Sequence, residues 1–170
     1  GLVRISEKES QKFSGIKDDR GNAIESQRLS NGELVFLAKD VPAFGSRKYF
    51  LNAKKDKTVR KLVHGNVLDN GIVHVVIDPK TGDISSLTAG SNEFVNKKAA
   101  CNLNSYRYLH GGDDPDKATG TSNVKISIKE NGPLVASILV ESQAEGCNSL
   151  KREITIVAGQ PYIEIKKIGR

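Results

Sequence analysis

The sequence predicts an all-β chain, an antiparallel β-sandwich preceded by strands of a smaller β domain. Three observations carry this. β-branched runs recur at short spacing, Gly, Pro and Asn punctuate them, and no apolar pattern holds a 3.6-residue period for three turns.

The elements follow in order. Ile16 to Asn22 reads as a turn. Ala23 to Leu29 and Leu34 to Lys39 read as strands around Ser30-Asn31-Gly32-Glu33, an Asn-Gly hairpin. Val41-Pro42-Ala43-Phe44-Gly45 breaks the chain and Ser46 to Ala53 returns as a strand. The charged, apolar-free stretch Lys54 to Lys57 reads as a linker, dividing the end of a small β domain (1–56) from part of a large sandwich (57–170). Ile72 to Ile77, the Pro- and Gly-bearing segment Asp78 to Gly82, and Asp83 to Leu87 form a hairpin. Val124 to Lys129 alternates apolar with polar residues, so one face should meet a core and the other water. A turn at Glu130-Asn131-Gly132-Pro133, where Asn-Gly accepts positive φ, leads to Leu134–Glu141, with Leu134, Ala136, Ile138 and Val140 on one side. Leu150 to Val157 and Tyr162 to Ile168 complete a four-strand meander. Ala89 to Ser122 is the least regular stretch, and long loops on sandwiches are where binding residues concentrate.

Composition narrows the function classes. With 37% hydrophobic and 27% charged residues in 170, the chain is a globular one and not a disordered one. No apolar run approaches the ~18 residues of a membrane span. The first six residues are too short and polar for a signal peptide, and Gly1 in place of Met suggests an excised segment. The compartment is not fixed by this end, and a periplasmic or secreted location stays open. The net charge of +6 would suit a polyanion, but the basic residues are scattered and lie in no groove-reading motif. They read as solvated surface, without a nucleic-acid partner. Cys101 and Cys147 form no CxxC; two free thiols and a single disulfide both remain open.

Nucleophilic catalysis would need Ser or Cys beside a His base. His74 lies mid-strand, His64 near a strand end, and neither sits in a motif, nor is there a Gly-x-Ser-x-Gly elbow. His110 adjoins Gly111-Gly112-Asp113-Asp114. With Asp116 these could offer oxygens to calcium, but the loop lacks the Gly and distal Glu of an EF-hand and reads as a turn with solvated acids. No catalytic or metal-binding residue is assigned. Binding sugar asks for aromatic faces and planar polar groups, and Asn102, Asn104, Tyr106, Arg107, Tyr108, Asp113 and Asp114 supply both. Of these, Asn104, Tyr106, Tyr108, Asp113 and Asp114 form the candidate substrate site. The alternative is that Tyr106 and Tyr108 simply pack on one strand face.

Three segments together resemble the C-terminal region of glycoside hydrolase family 38, the α-mannosidases, in its bacterial form. The first joins Asp19-Arg20-Gly21-Asn22, Ser26-Gln27-Arg28-Leu29 and Gly32-Glu33-Leu34-Val35-Phe36 to Asp40-Val41-Pro42-Ala43-Phe44-Gly45 and Tyr49. The second runs from Leu68-Asp69-Asn70-Gly71 through Asp78-Pro79-Lys80-Thr81-Gly82-Asp83-Ile84-Ser85-Ser86-Leu87. The third runs from Leu103-Asn104-Ser105-Tyr106-Arg107-Tyr108 and Gly111-Gly112-Asp113 to Asn131-Gly132-Pro133-Leu134-Val135 and Glu141-Ser142. The resemblance implies a galactose-mutarotase-like supersandwich, present here in part, packed behind a zinc-dependent catalytic domain on the same polypeptide. The nucleophile and the zinc ligands belong to that other domain, so no cofactor is implied for this chain. Some members lend a sandwich Tyr to the sugar pocket, and Tyr106 or Tyr108 is nearest by position. The expectation is a non-catalytic segment that supports the catalytic domain and lines an α-mannoside pocket. The alternative is an autonomous carbohydrate-binding or cell-surface module.

Overall fold

The structure, a computed structural model, describes residues 1–54 and 60–169. The expected boundary at 56/57 lies outside the described residues. The chain groups into two compact units. One comprises the residues up to Leu62 with Glu130–Ala136, the other Val63–Lys129 with the residues from Ser137 onward.

The first unit holds β1 (Leu2–Ile5), α1 (Glu7–Ser10), β2 (Gly15–Asp18), β3 (Ala23–Ile24), β4 (Ser26–Arg28), β5 (Leu34–Leu37) and β6 (Tyr49–Asn52). They make two three-stranded antiparallel sheets, ordered β1-β5-β4 and β3-β2-β6. Ile16, Leu34 and Phe36 form their shared core, with Val3, Ile5, Ile24, Tyr49 and Leu51 packed around it. The Phe36 and Tyr49 rings meet at a tilt of 55°, with centroids 4.7 Å apart. The one-turn helix starts on Ser6, whose hydroxyl accepts from the Glu9 amide and donates to the Glu9 carboxylate at 2.6 Å.

Three expectations need correction here. Ile16 to Asp18 is strand and not turn: Ile16 is a core residue, and Lys17 pairs with Ala23 and Phe50. The turn is confined to the residues after Asp18, whose carboxylate accepts from the Arg20 and Asn22 amides. Ala23 to Leu29 is not one strand. It changes sheets at Glu25, with Ile24 paired to Ile16 and Ser26 to Phe36. That corner turns Gln27 inward. Its amide oxygen accepts from the Leu134 and Val135 amides (3.0 and 2.8 Å), and its amide nitrogen donates to the Val135 carbonyl (2.9 Å). Gly32 has the positive φ (+85°) that an Asn-Gly turn calls for, but Gly132 does not. Glycine is needed at 132 for room: a Cβ there would lie 2.2 Å from Cδ of Gln27.

The second unit contains a five-stranded antiparallel sheet of β7 (Val63–His64), β8 (Val67–Asp69), β9 (Val73–Ile77), β10 (Ile84–Ala89) and β11 (Asn92–Glu93), ordered β11-β10-β9-β8-β7. The expected meander follows as β12 (Thr121–Asn131), β13 (Val135–Ala144), β14 (Cys147–Val157) and β15 (Ile163–Gly169), ordered β12-β13-β14-β15. Period-2 alternation buries Val73, Val75 and Ile77 on one sheet, and Leu150, Ile154 and Ile156 on the other. The sheets stack as a sandwich, close enough that a Cβ on Gly82 would lie 2.3 Å from Val140 Cγ1. Alternation on β12 is incomplete: Val124 and Ile126 are half-buried, but Ile128 is exposed. The reason is position, since β12 is an edge strand with a neighbour on one side only. Among the described residues no helix is long and apolar enough to cross a membrane.

Candidate functional site

The expected irregular stretch between β11 and β12 is a loop held by two isolated bridges, Ile84 with Leu103 and Tyr108 with Thr119, and one 3-10 turn at Pro115–Lys117. Each bridge closes two backbone hydrogen bonds of 2.8–3.1 Å. Side chains then fasten the loop at two places.

The first lies beneath the 102–107 segment. Arg152 is completely buried, and its Nη1 donates to Asp83 Oδ1 at 2.6 Å and to the Asn104 carbonyl at 3.2 Å. Its Nη2 donates to the Thr81 carbonyl at 2.6 Å. The single Ser105 hydroxyl hydrogen is shared between Asp83 Oδ2 at 2.6 Å and the Asn102 carbonyl at 2.9 Å. Asn104 takes a left-handed φ of +66°, and its carboxamide nitrogen is buried without a partner, as is Arg152 Nε.

The second fastening is the turn between β13 and β14. The Tyr106 hydroxyl donates to the Glu145 carbonyl at 2.6 Å. The Glu145 carboxylate meets His110 Nε2 at 2.7 Å and accepts from the Thr119 hydroxyl at 2.7 Å. The Tyr108 ring lies edge-on to His110, with centroids 5.0 Å apart, and covers Gly146, where a Cβ would fall 2.3 Å from Tyr108 Cε2. The Thr119 hydroxyl and then His110 hold the Glu145 carboxyl below its ordinary range. Burial, followed by the neighbouring Cys147 thiol, pushes the Tyr106 phenol up.

Of the five candidate residues, Tyr106 and Tyr108 thus share the Glu145–Gly146 turn, while Asn104 belongs with Arg152. Asp113 faces Lys117 at 3.9 Å, and Asp114 caps the 3-10 turn through the Asp116 amide. Among the described residues no three His, Cys, Asp or Glu side chains gather as metal ligands. Cys101 and Cys147 are both free. His74, mid-strand as expected, is half-buried and meets Asp69 at 3.2 Å.

Asp83, Ser105, Glu145 and Arg152 were not singled out from the sequence. Arg152 carried a signal, since it shares the parity of Leu150, Ile154 and Ile156 and so had to point into the core. A cleft of about 210 Å³ opens above the Asp83–Arg152 pair, lined among others by Asp83, Cys101, Asn102, Ser105, Tyr106 and Arg107.

No protein-family profile and no curated protein matches the chain. Solved structures do. An α-mannosidase from Enterococcus faecalis V583 superposes with a TM-score of 0.61 at 11% identity, over 98% of this chain and 28% of that one. A glycosyl hydrolase family 38 protein from Enterococcus faecalis superposes with a TM-score of 0.58 at 13% identity, over 98% of this chain and 29% of that one. The chain spans less than a third of the length of either. At this identity the likeness speaks for the fold: the all-β chain shares its architecture, nearly end to end, with a segment of each of these two structures.

Proposed function

We propose that this chain is a non-catalytic C-terminal β-sandwich segment of an α-mannosidase-like glycoside hydrolase. It supports a catalytic domain on the same polypeptide and lines that domain's sugar pocket through the loop from Asn102 to Asp114. The carrying observation is coverage: 98% of the chain matches within 28–29% of each neighbour, leaving more than two thirds of those chains outside the match. The proposal keeps the end of a small β domain at 1–56 and part of a large supersandwich at 57–170. Asn104, Tyr106, Tyr108, Asp113 and Asp114 are its sugar-facing residues. The exposed Asp113 and Asp114 keep lone pairs for sugar hydroxyls beyond the contacts they already make.

The test is hydrolysis of an aryl α-mannoside. The chain by itself is expected to give no turnover, and the polypeptide extended upstream through a domain bearing His and Asp zinc ligands is expected to give it. Turnover by the 170-residue chain alone would overturn the proposal. An upstream sequence without such a domain would favour an autonomous carbohydrate-binding module.

A further inference from the structure

The cleft above the Asp83–Arg152 pair has a specific charge pattern. Its floor is rigid and internally neutral: Arg152 takes one Asp83 oxygen and Ser105 takes the other, and Asp83 is only 7% exposed. The floor therefore offers little repulsion to an anion. On the wall stands Arg107, exposed and without a hydrogen bond or ion pair among the described residues. The Asn102 carboxamide beside it makes no hydrogen bond there either, and the one Ser105 hydrogen is spent inward, leaving its oxygen to accept. The Tyr106 hydroxyl is tied to Glu145, so only its ring is offered to the cleft.

We propose that this cleft binds a single sugar ring carrying one carboxylate, a uronate-class ligand. Arg107 grips the carboxylate, Asn102 and Ser105 meet the ring hydroxyls, and the Tyr106 ring lies against its C–H face. Size and charge select this ligand. At about 210 Å³ the cleft falls below the ~300–1,000 Å³ of drug-sized sites, so it holds one ring and not an extended glycan. One unpaired planar cation over a neutral floor fits one carboxylate, which a guanidinium can take with two parallel hydrogen bonds. The inference rests on the sugar-facing part of the reading above, but needs no catalytic partner.

The experiment is calorimetric titration of the full chain with D-mannuronate and, separately, with methyl α-D-mannoside. Mannuronate is expected to bind more tightly, and Arg107→Gln to weaken it about tenfold, the scale of one lost charge-assisted hydrogen bond, with little effect on the neutral sugar. Arg107 is exposed, so this variant should keep the parent melting temperature; Asn102→Ala, expected to weaken both sugars, serves as the second probe. Equal binding of the two sugars, or mannuronate binding indifferent to Arg107→Gln, would overturn the uronate assignment while leaving the sugar-facing loop standing. Failure of both sugars to bind at high millimolar concentration would remove both ideas.

Discussion

Replacing Arg152 with Met tests the loop-fastening network at its centre. Arg152 is fully buried, and its side chain makes three hydrogen bonds, one of them to the carboxylate of the buried Asp83. Met fills comparable volume, so the lost packing is small. What remains is an Asp83 charge with one hydroxyl and no cation, inside a sandwich. Breaking a buried pair from one side in this way costs about 3–5 kcal/mol, a large share of the ~5–15 kcal/mol that holds a domain folded. With a urea m-value of about 2 kcal/mol/M, the midpoint should fall by roughly 1.5–2.5 M. The chain has no Trp and four Tyr, of which Tyr106, Tyr108 and Tyr162 lie in the second unit and Tyr49 in the first, so tyrosine fluorescence reports mainly the second unit. Removing the charge as well, with Arg152→Met and Asp83→Leu together, should recover more than half of the loss. A neutral apolar pair needs no compensation, and Ser105 keeps its bond to the Asn102 carbonyl. A loss below about 1 kcal/mol for the single variant, or a double variant no better than the single, would refute the reasoning.

Four further substitutions probe other devices of the fold. Gly82→Ala combines a φ of +70° with a Cβ 2.3 Å from Val140 Cγ1, and should cost at least about 2 kcal/mol in denaturation. Gly65→Ala, at φ +60° in open space, should cost only about 1 kcal/mol. Gln27→Ala leaves the buried Leu134 and Val135 amides without acceptors and should cost about 2–4 kcal/mol, read as faster hydrogen exchange at both amides. Because Glu145 has its carboxyl held below the ordinary 4.5, its stabilising effect is complete above pH 4.5 and fades as pH falls through the lower folded value. Glu145→Gln should therefore be less stable than the parent at neutral pH and converge with it in acid, measured as melting temperature against pH.

The longer strands of the second unit were legible because turn residues punctuate them. Val73 to Ile77 ends at Asp78-Pro79, and the closing meander appears in the order its turns predict. What stayed hidden in the first third was hidden for a physical reason. Ile16-Lys17-Asp18 has turn composition, but a core forms around Ile16 only when β6 arrives from some thirty residues on, and local propensity yields to that burial. The sheet change at Glu25 is equally nonlocal: nothing in Ala23 to Leu29 says that Ile24 and Ser26 have different partners.

The loop shows the same limit from the side of chemistry. Composition and the family resemblance drew attention to Tyr106 and Tyr108, and both proved to be anchored, one through its hydroxyl to Glu145 and the other against Gly146, by a turn some forty residues downstream. A side chain spent on holding its own loop has fewer atoms left for a ligand. The atoms that remain available near the cleft belong to Arg107 and Asn102, which carried no alternation signal because neither is buried. Periodicity identifies the residues that face inward, and Arg152 could have been found that way. It is silent about exposed polar groups, whose role depends on which buried pair lies beneath them. Under the proposed sugar-binding reading, recognition by this loop is set jointly by the Asp83–Arg152 pair, which fixes the position of Asn104 and Ser105, and by the exposed groups that this fixation holds in place.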